Sequence, residues 1–248
     1  MTDLVRSELL KIRTTRGWYV YLGVLVLLVG LGAAGDLGTV EGVDRGDVGY
    51  QRDLVEAAGF AALLALILGI TVVTTEFRHG TITPSLLGTP RRERVVVAKT
   101  IAATAVGFLF AVLALAVFAV VAVVWLSAVG AEIRLLEIEV LERAGQLLLA
   151  APLWALAGVA VGALVQSQVA ALVGTLIWIF IGEVTLIAVL GLVDLDGFAD
   201  YLPFQALDAA DGTNPDLLPY WTGVGVSLAW AAVLGIAGTE RLKRRDIT

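Results

Sequence analysis

The sequence predicts an all-α, polytopic membrane protein. It has six transmembrane helices, an N-terminal interfacial amphipathic helix, and a short cytoplasmic helix between the second and third spans. Three observations carry that reading. Hydrophobic residues make up 58% of the 248 positions and charged ones only 16%, against about 45–50% apolar in a soluble domain. The apolar excess is gathered into six long runs, each near the ~20 residues needed to cross a hydrocarbon core, rather than spread at amphipathic spacing. The bases are also sorted by side: 13 of the 17 Lys and Arg residues precede the first run, lie between the second and third, or follow the sixth. The positive-inside rule then places both termini in the cytoplasm of a multi-pass cell-membrane protein.

The elements follow in order within one transmembrane domain, residues 1–248. In residues 1–17, Leu4, Val5, Leu9 and Ile12 share one arc of a helical wheel, with Arg6, Lys11 and Arg13 opposite and Leu10 out of place. This is the pattern of a helix lying in the cytoplasmic interface with its bases toward lipid phosphates. The spans cover about 18–34, 57–75, 100–126, 146–165, 169–193 and 220–238, and none contains Lys or Arg. Trp18, Tyr19 and Tyr21 open the first as an interfacial aromatic belt. Gly158 and Gly162 in the fourth are spaced for close backbone approach and offer one close-packing face for a dimer. Glu183 in the fifth is the one ionisable residue deep in a span. A carboxylate there costs about 2.5–3.5 kcal/mol to insert, so it must face protein or water. It is either a gate or substrate-pathway group or is satisfied by an interhelical hydrogen bond to a group such as Thr185 or a backbone carbonyl.

The cytoplasmic segment 76–99 is the most informative stretch. Thr83-Pro84 and Thr89-Pro90 each read as a helix start, with Thr as N-cap and Pro at the first helical position. The first opens only a short helix before Gly88, and the second opens the helix that becomes the third span. Leu86 and Leu87 have little local core to join on so short a helix, which marks them for burial against a partner or the membrane surface. Segment 194–219 holds no base and contains an apolar stretch from Tyr201 to Leu207. It is either an outer loop or a re-entrant dip, and a dip requires its backbone to be buried in protein.

Composition also excludes chemistry. Without cysteine there is no disulfide framework or thiolate metal site, and a single histidine, His79, rules out a His-rich one. No Lys follows a Gly, so there is no phosphate-binding loop, and H-E-x-x-H is absent. A net charge of −6 argues against nucleic acid as a partner. Of the 23 acids, 16 lie in the three outer segments, so the outer face is acidic and the inner one basic.

The order of amphipathic Ser7-Glu8-Leu9-Leu10-Lys11-Ile12-Arg13-Thr14, two spans, Glu76-Phe77-Arg78-His79-Gly80-Thr81-Ile82, Thr89-Pro90-Arg91-Arg92 and Lys99 resembles the membrane subunit of ABC exporters of the type two class, as found in high-GC bacteria. The resemblance extends through Leu202-Pro203 and the basic stretch from Arg241 to Arg245. It implies a permease that dimerises, with itself or a similar permease, and binds a separate ATP-binding subunit in the partner position. ATP and its magnesium belong to that subunit and no cofactor to this chain, which is then no enzyme itself. By the same resemblance the short helix docks on the ATPase, so that Glu76, Arg78, Gly80, Thr83, Pro84, Leu86, Leu87, Thr89, Pro90 and Arg91 form the coupling segment. Family members export drugs, lipids, polysaccharides or peptides. The residues alone leave open a self-sufficient secondary transporter or channel, or a membrane anchor or immunity-type protein without transport.

Overall fold

The computed structural model describes residues 1–39, 44–81, 92–212, 214 and 216–244. Among them the chain is helical throughout, with no strand. An amphipathic α1 (Thr2–Thr14) turns at Thr15 into α2 (Gly17–Thr39). α3 (Val48–Leu54) begins at Asp47, whose carboxylate accepts from the Tyr50 N–H. It runs through one 3-10 turn (Val55–Gly59) into α4 (Phe60–Arg78). α5 (Arg92–Ala128) and α6 (Ile138–Val165) form the third and fourth spans. The fifth is α7 (Gln168–Ile177), a π turn (Trp178–Glu183) and α8 (Val184–Leu192) in continuous succession. A 3-10 turn (Asp196–Tyr201), α9 (Pro203–Asp211) and α10 (Tyr220–Lys243) complete the chain.

Six helices are long and apolar enough to cross a membrane: Gly17–Gly35, Val48–Arg78, Glu93–Ala128, Ile138–Val165, Gln168–Leu192 and Tyr220–Lys243. The second, third and fourth start well before the apolar runs that announce them. The reason is local. Backbone hydrogen bonding continues wherever no breaker intervenes, whereas an apolar run ends at the first charge. The expected short helix at Thr83-Pro84, with Leu86, Leu87, Thr89, Pro90 and Arg91, lies outside the described residues.

The bundle is built around α4 and α6, which pack most extensively against each other, with α5 across both and α10 against α6. Glycine permits that closeness. A Cβ on Gly158 would strike the Leu66 carbonyl and one on Gly69 the Ala155 carbonyl, while a Cβ on Gly162 would sit 2.9 Å from the Ile70 oxygen. The Gly158 and Gly162 face is thus used inside the chain and is not free for a second copy. In the second span 67% of the most apolar stretch is buried, against 11% in the fifth, so α7 and α8 stand at the periphery. At the bundle end opposite the chain termini, the fully buried Gln51 staples the loops. Its Nε2 donates to the Arg45 and Glu132 carbonyls at 2.9 and 2.7 Å, and its Oε1 accepts from the Arg134 N–H at 2.8 Å.

Candidate functional site

Two polar clusters occupy opposite ends of this apolar bundle. At the end that carries both termini, α1 presents Glu8 and Lys11, α4 presents Glu76 two residues before its last, and α5 presents Lys99. Lys99, 2% exposed, places its Nζ 2.7 Å from Glu8 Oε2 and 2.8 Å from Glu76 Oε1, and donates to the Val72 carbonyl at 3.2 Å. The Lys11 Nζ donates to Glu8 Oε1 at 2.6 Å and to Glu76 Oε1 at 2.8 Å. Burial by itself would lower the Lys11 pKa, but the hydrogen bonds and charges of Glu76 and Glu8 together hold it above its ordinary value. Two acids and two bases therefore neutralise one another where three helices meet. The arrangement joins α1 to both helices that border segment 79–91. A local ion pair cannot do that, because the partners come from three separate elements.

At the opposite end, α9 folds back between α6 and α10 with Phe204, Ala206, Leu207, Ala209 and Ala210 buried. Its close approach to α10 depends on Gly223, where a Cβ would meet Ala209 and Ala210 at 2.8 Å. Each end of α9 is held by a charge from another helix. Glu183, 2% exposed, accepts through Oε1 from the backbone N–H groups of Phe204 at 2.9 Å and Gln205 at 3.2 Å. Those are the donors a helix leaves unpaired in its first turn, and the N-cap residue, Leu202, has no side chain that could take them. At the other end Arg143 donates to the Asp211 carbonyl and, at 3.1 Å, to Gln146 Oε1. Trp154 Nε1 donates to the Asp211 carboxylate at 3.0 Å. An acid at the N-terminus and a base at the C-terminus both complement the helix dipole. Trp230, ten residues into α10, donates to the Tyr201 carbonyl at 2.8 Å, which places the entry to α9 about 15 Å down that helix.

The sequence profile of the ABC-2 family transporter proteins matches residues 4–182. The chain belongs to this family. It is an ABC transporter permease, the membrane subunit and not the ATPase. No curated protein matches it at a significant level. The match takes in the whole of the first cluster, from Glu8 to Lys99. It stops one residue before Glu183, so α8, α9 and α10 lie beyond it.

In this permease the structure brings together only some of the residues the sequence singles out. Glu76 enters the ion cluster. Arg78 donates to Gln168 Oε1 at 3.2 Å instead, bridging the ends of the second and fifth spans. Gly80 takes a φ of +69° in the turn that follows α4, a conformation open to glycine at little cost. On α1, Ile12 is buried, Leu4 half-buried, and Leu9 and Arg13 exposed. Lys11, placed by the wheel among bases facing lipid phosphates, keeps its side chain 47% exposed but turns its ammonium to Glu8 and Glu76. The two carboxylates offer it more than a distant phosphate would. Glu183 is bound to neither Thr185 nor a backbone carbonyl; its partners are N–H groups of a helix 21 residues on.

Sequence reasoning passed over Glu8, Arg143, Trp154 and Asp211. Signals for two of them exist. Glu8 is an acid in an otherwise basic helix, three residues from Lys11. Arg143 is a base at the threshold of a span on the base-poor side. For Trp154 and Asp211 nothing in the local pattern points to their pairing.

Proposed function

We propose that the permease is the membrane subunit of an ABC exporter, which lines the substrate pathway as one of two copies and takes its energy from a separate ATP-binding subunit. The termini and the short segment 79–91 face the cytoplasm, and α9 is a re-entrant helix of the outer leaflet. The observation that carries this reading is the Glu8, Lys11, Glu76 and Lys99 cluster. It ties α1, the end of α4 and the start of α5 into one unit at the base of segment 79–91. A push on that segment from a docked ATPase therefore moves three helices together. Glu183 and Arg143 hold α9 at the far end of the same bundle, so a shift of α6 or of the fifth span changes how firmly the outer closure is held.

The segment itself carries the docking test. The short helix that the sequence alone leads one to expect after Thr83-Pro84 would be marginal by itself, and Leu86 and Leu87 would give it an apolar knob for a cleft on the partner. Replacing both with Asp should leave expression and topology intact while abolishing co-purification of the ATPase and ATP-dependent flux in proteoliposomes, since an unpaired charge is costly in an apolar cleft. Unchanged recovery of the ATPase with the double variant removes the coupling role from this segment.

A further inference from the structure

Beside the ion cluster lies a partly open cleft of about 130 Å³ between α1 and α2 on one side and α4 and α5 on the other. It is amphiphilic along its length. Glu8, Lys11, Glu76 and Lys99 line one end, and Ile12, Trp18, Tyr21 and Leu68 line the rest. Leu68 precedes Glu76 by eight residues on α4, which sets the apolar end about 12 Å from the charged one. Tyr21 closes part of the wall through a 3.0 Å hydrogen bond between its hydroxyl and Thr71. Trp18 is fixed by stacking on Phe110 with ring centroids 5.7 Å apart.

The hydrogen-bond valences of the cluster define what the charged end still lacks. Lys99 uses all three of its donors, on Glu8, Glu76 and the Val72 carbonyl. Both oxygens of Glu8 are taken by the two ammonium groups. Lys11 uses two donors and keeps a third N–H, on a side chain that is 47% exposed. Glu76 is 7% exposed, and its Oε2 has no hydrogen-bond partner among the described residues. What remains is one buried anionic acceptor and one cationic donor at the charged end of an apolar slot.

We propose that this cleft binds a phospholipid with a primary-amine headgroup, drawn from the leaflet at the terminal end of the bundle. Its ammonium donates to Glu76 once that carboxylate turns its buried Oε2 toward the cleft, its phosphate accepts from Lys11, and an acyl chain lies along Trp18, Tyr21 and Leu68. Chemistry selects against the alternatives. A quaternary ammonium has no N–H to give Glu76. An anionic headgroup without an amine leaves Glu76 unpaired. Such binding requires neither an ATPase nor a second copy, so it stands or falls apart from transport.

The test is native mass spectrometry of the full chain released from detergent and titrated with dioleoyl phosphatidylethanolamine, phosphatidylcholine or phosphatidylglycerol. One charge-assisted hydrogen bond separates the headgroups, so the ethanolamine lipid should be retained about tenfold more strongly. Glu76→Gln, which removes the carboxylate that only the primary amine can use, should bring the three lipids to within about twofold of one another. Thr75→Leu, which fills the slot while leaving every charge in place, should lose the ethanolamine lipid with an unchanged melting temperature. Equal retention of the three lipids by the native chain, or an ethanolamine preference that survives Glu76→Gln, overturns the proposal.

Discussion

Lys99 shows at the residue scale how an ammonium is kept inside a membrane protein. It sits in a helix that carries no other charge after Arg94, and every donor it owns is matched by a carboxylate or a carbonyl. Removing one partner of a buried ion group leaves the others uncompensated, at a cost of about 3–5 kcal/mol. Lys99→Met should therefore lower the unfolding free energy in detergent by that amount, and adding Glu8→Gln should restore part of it, because the charges balance again. Asp211 poses the opposite problem. Burial raises its pKa to about 7, against the smaller downward pull of the Trp154 hydrogen bond and of Arg143, with Asp208 adding to the rise. Asp208, three residues earlier, is itself raised to about 6 by burial. An unfolded Asp titrates near 3.9, so between pH ~4 and ~7 the folded chain holds a proton that the unfolded one has lost. Stability contributed by Asp211 is then lost as pH rises through that window. Hydrogen exchange of α9 amides, corrected for intrinsic rates, should be faster at pH 8 than at pH 6, and Asp211→Asn should flatten the difference.

At the scale of elements, α9 is a nine-residue helix whose stability is borrowed. Isolated helices of that length are marginal in water, and this one begins at Leu202-Pro203 without a capping side chain. Glu183 supplies the cap from the fifth span, where the π turn Trp178–Glu183 interrupts regular α geometry. Glu183→Ala should cost about 0.5–2 kcal/mol, the range for losing an N-cap, and should raise exchange in the first turn of α9 before that of any membrane span. Glu183→Gln keeps an acceptor and should lose less. Normal flux by the Gln variant would confine Glu183 to holding α9 and take it out of the substrate pathway.

For the whole molecule, the interactions at the terminal end are consistent with both termini lying on one side. Arg241 donates to the Leu164 carbonyl at 2.6 Å, and Lys243 lies 3.3 Å from Glu93, so the last helix ends where α5 begins and α6 finishes. Together with the distribution of bases this predicts that reporter fusions after Thr39, Glu137 and Asp208 read as external. A cytoplasmic signal from any of them would break the six-span arrangement with both termini inside. The most exposed spans, α2 and the fifth, turn large side chains such as Tyr19, Leu31, Phe180 and Ile181 outward. Lipid or a second copy must cover them.

The sequence by itself determined the number of spans, their approximate limits and the family. Insertion depends on the length of a local apolar run, and backbone polar groups in lipid must be satisfied within the same helix. It also marked Glu183 as a group that needs partners, because an ionisable residue deep in a span is costly wherever it points, and the family resemblance placed Glu76 in the coupling segment. Which partners they have was decided by tertiary structure alone. Glu8 meets Lys99 across 91 positions, and Glu183 meets Phe204 across 21. Such pairings depend on how far each helix is rotated and how closely its neighbours approach, as set by Gly69, Gly158 and Gly223 at the contacts. Periodicity along one helix records which face is apolar. It carries no information on which polar atom of another helix stands opposite.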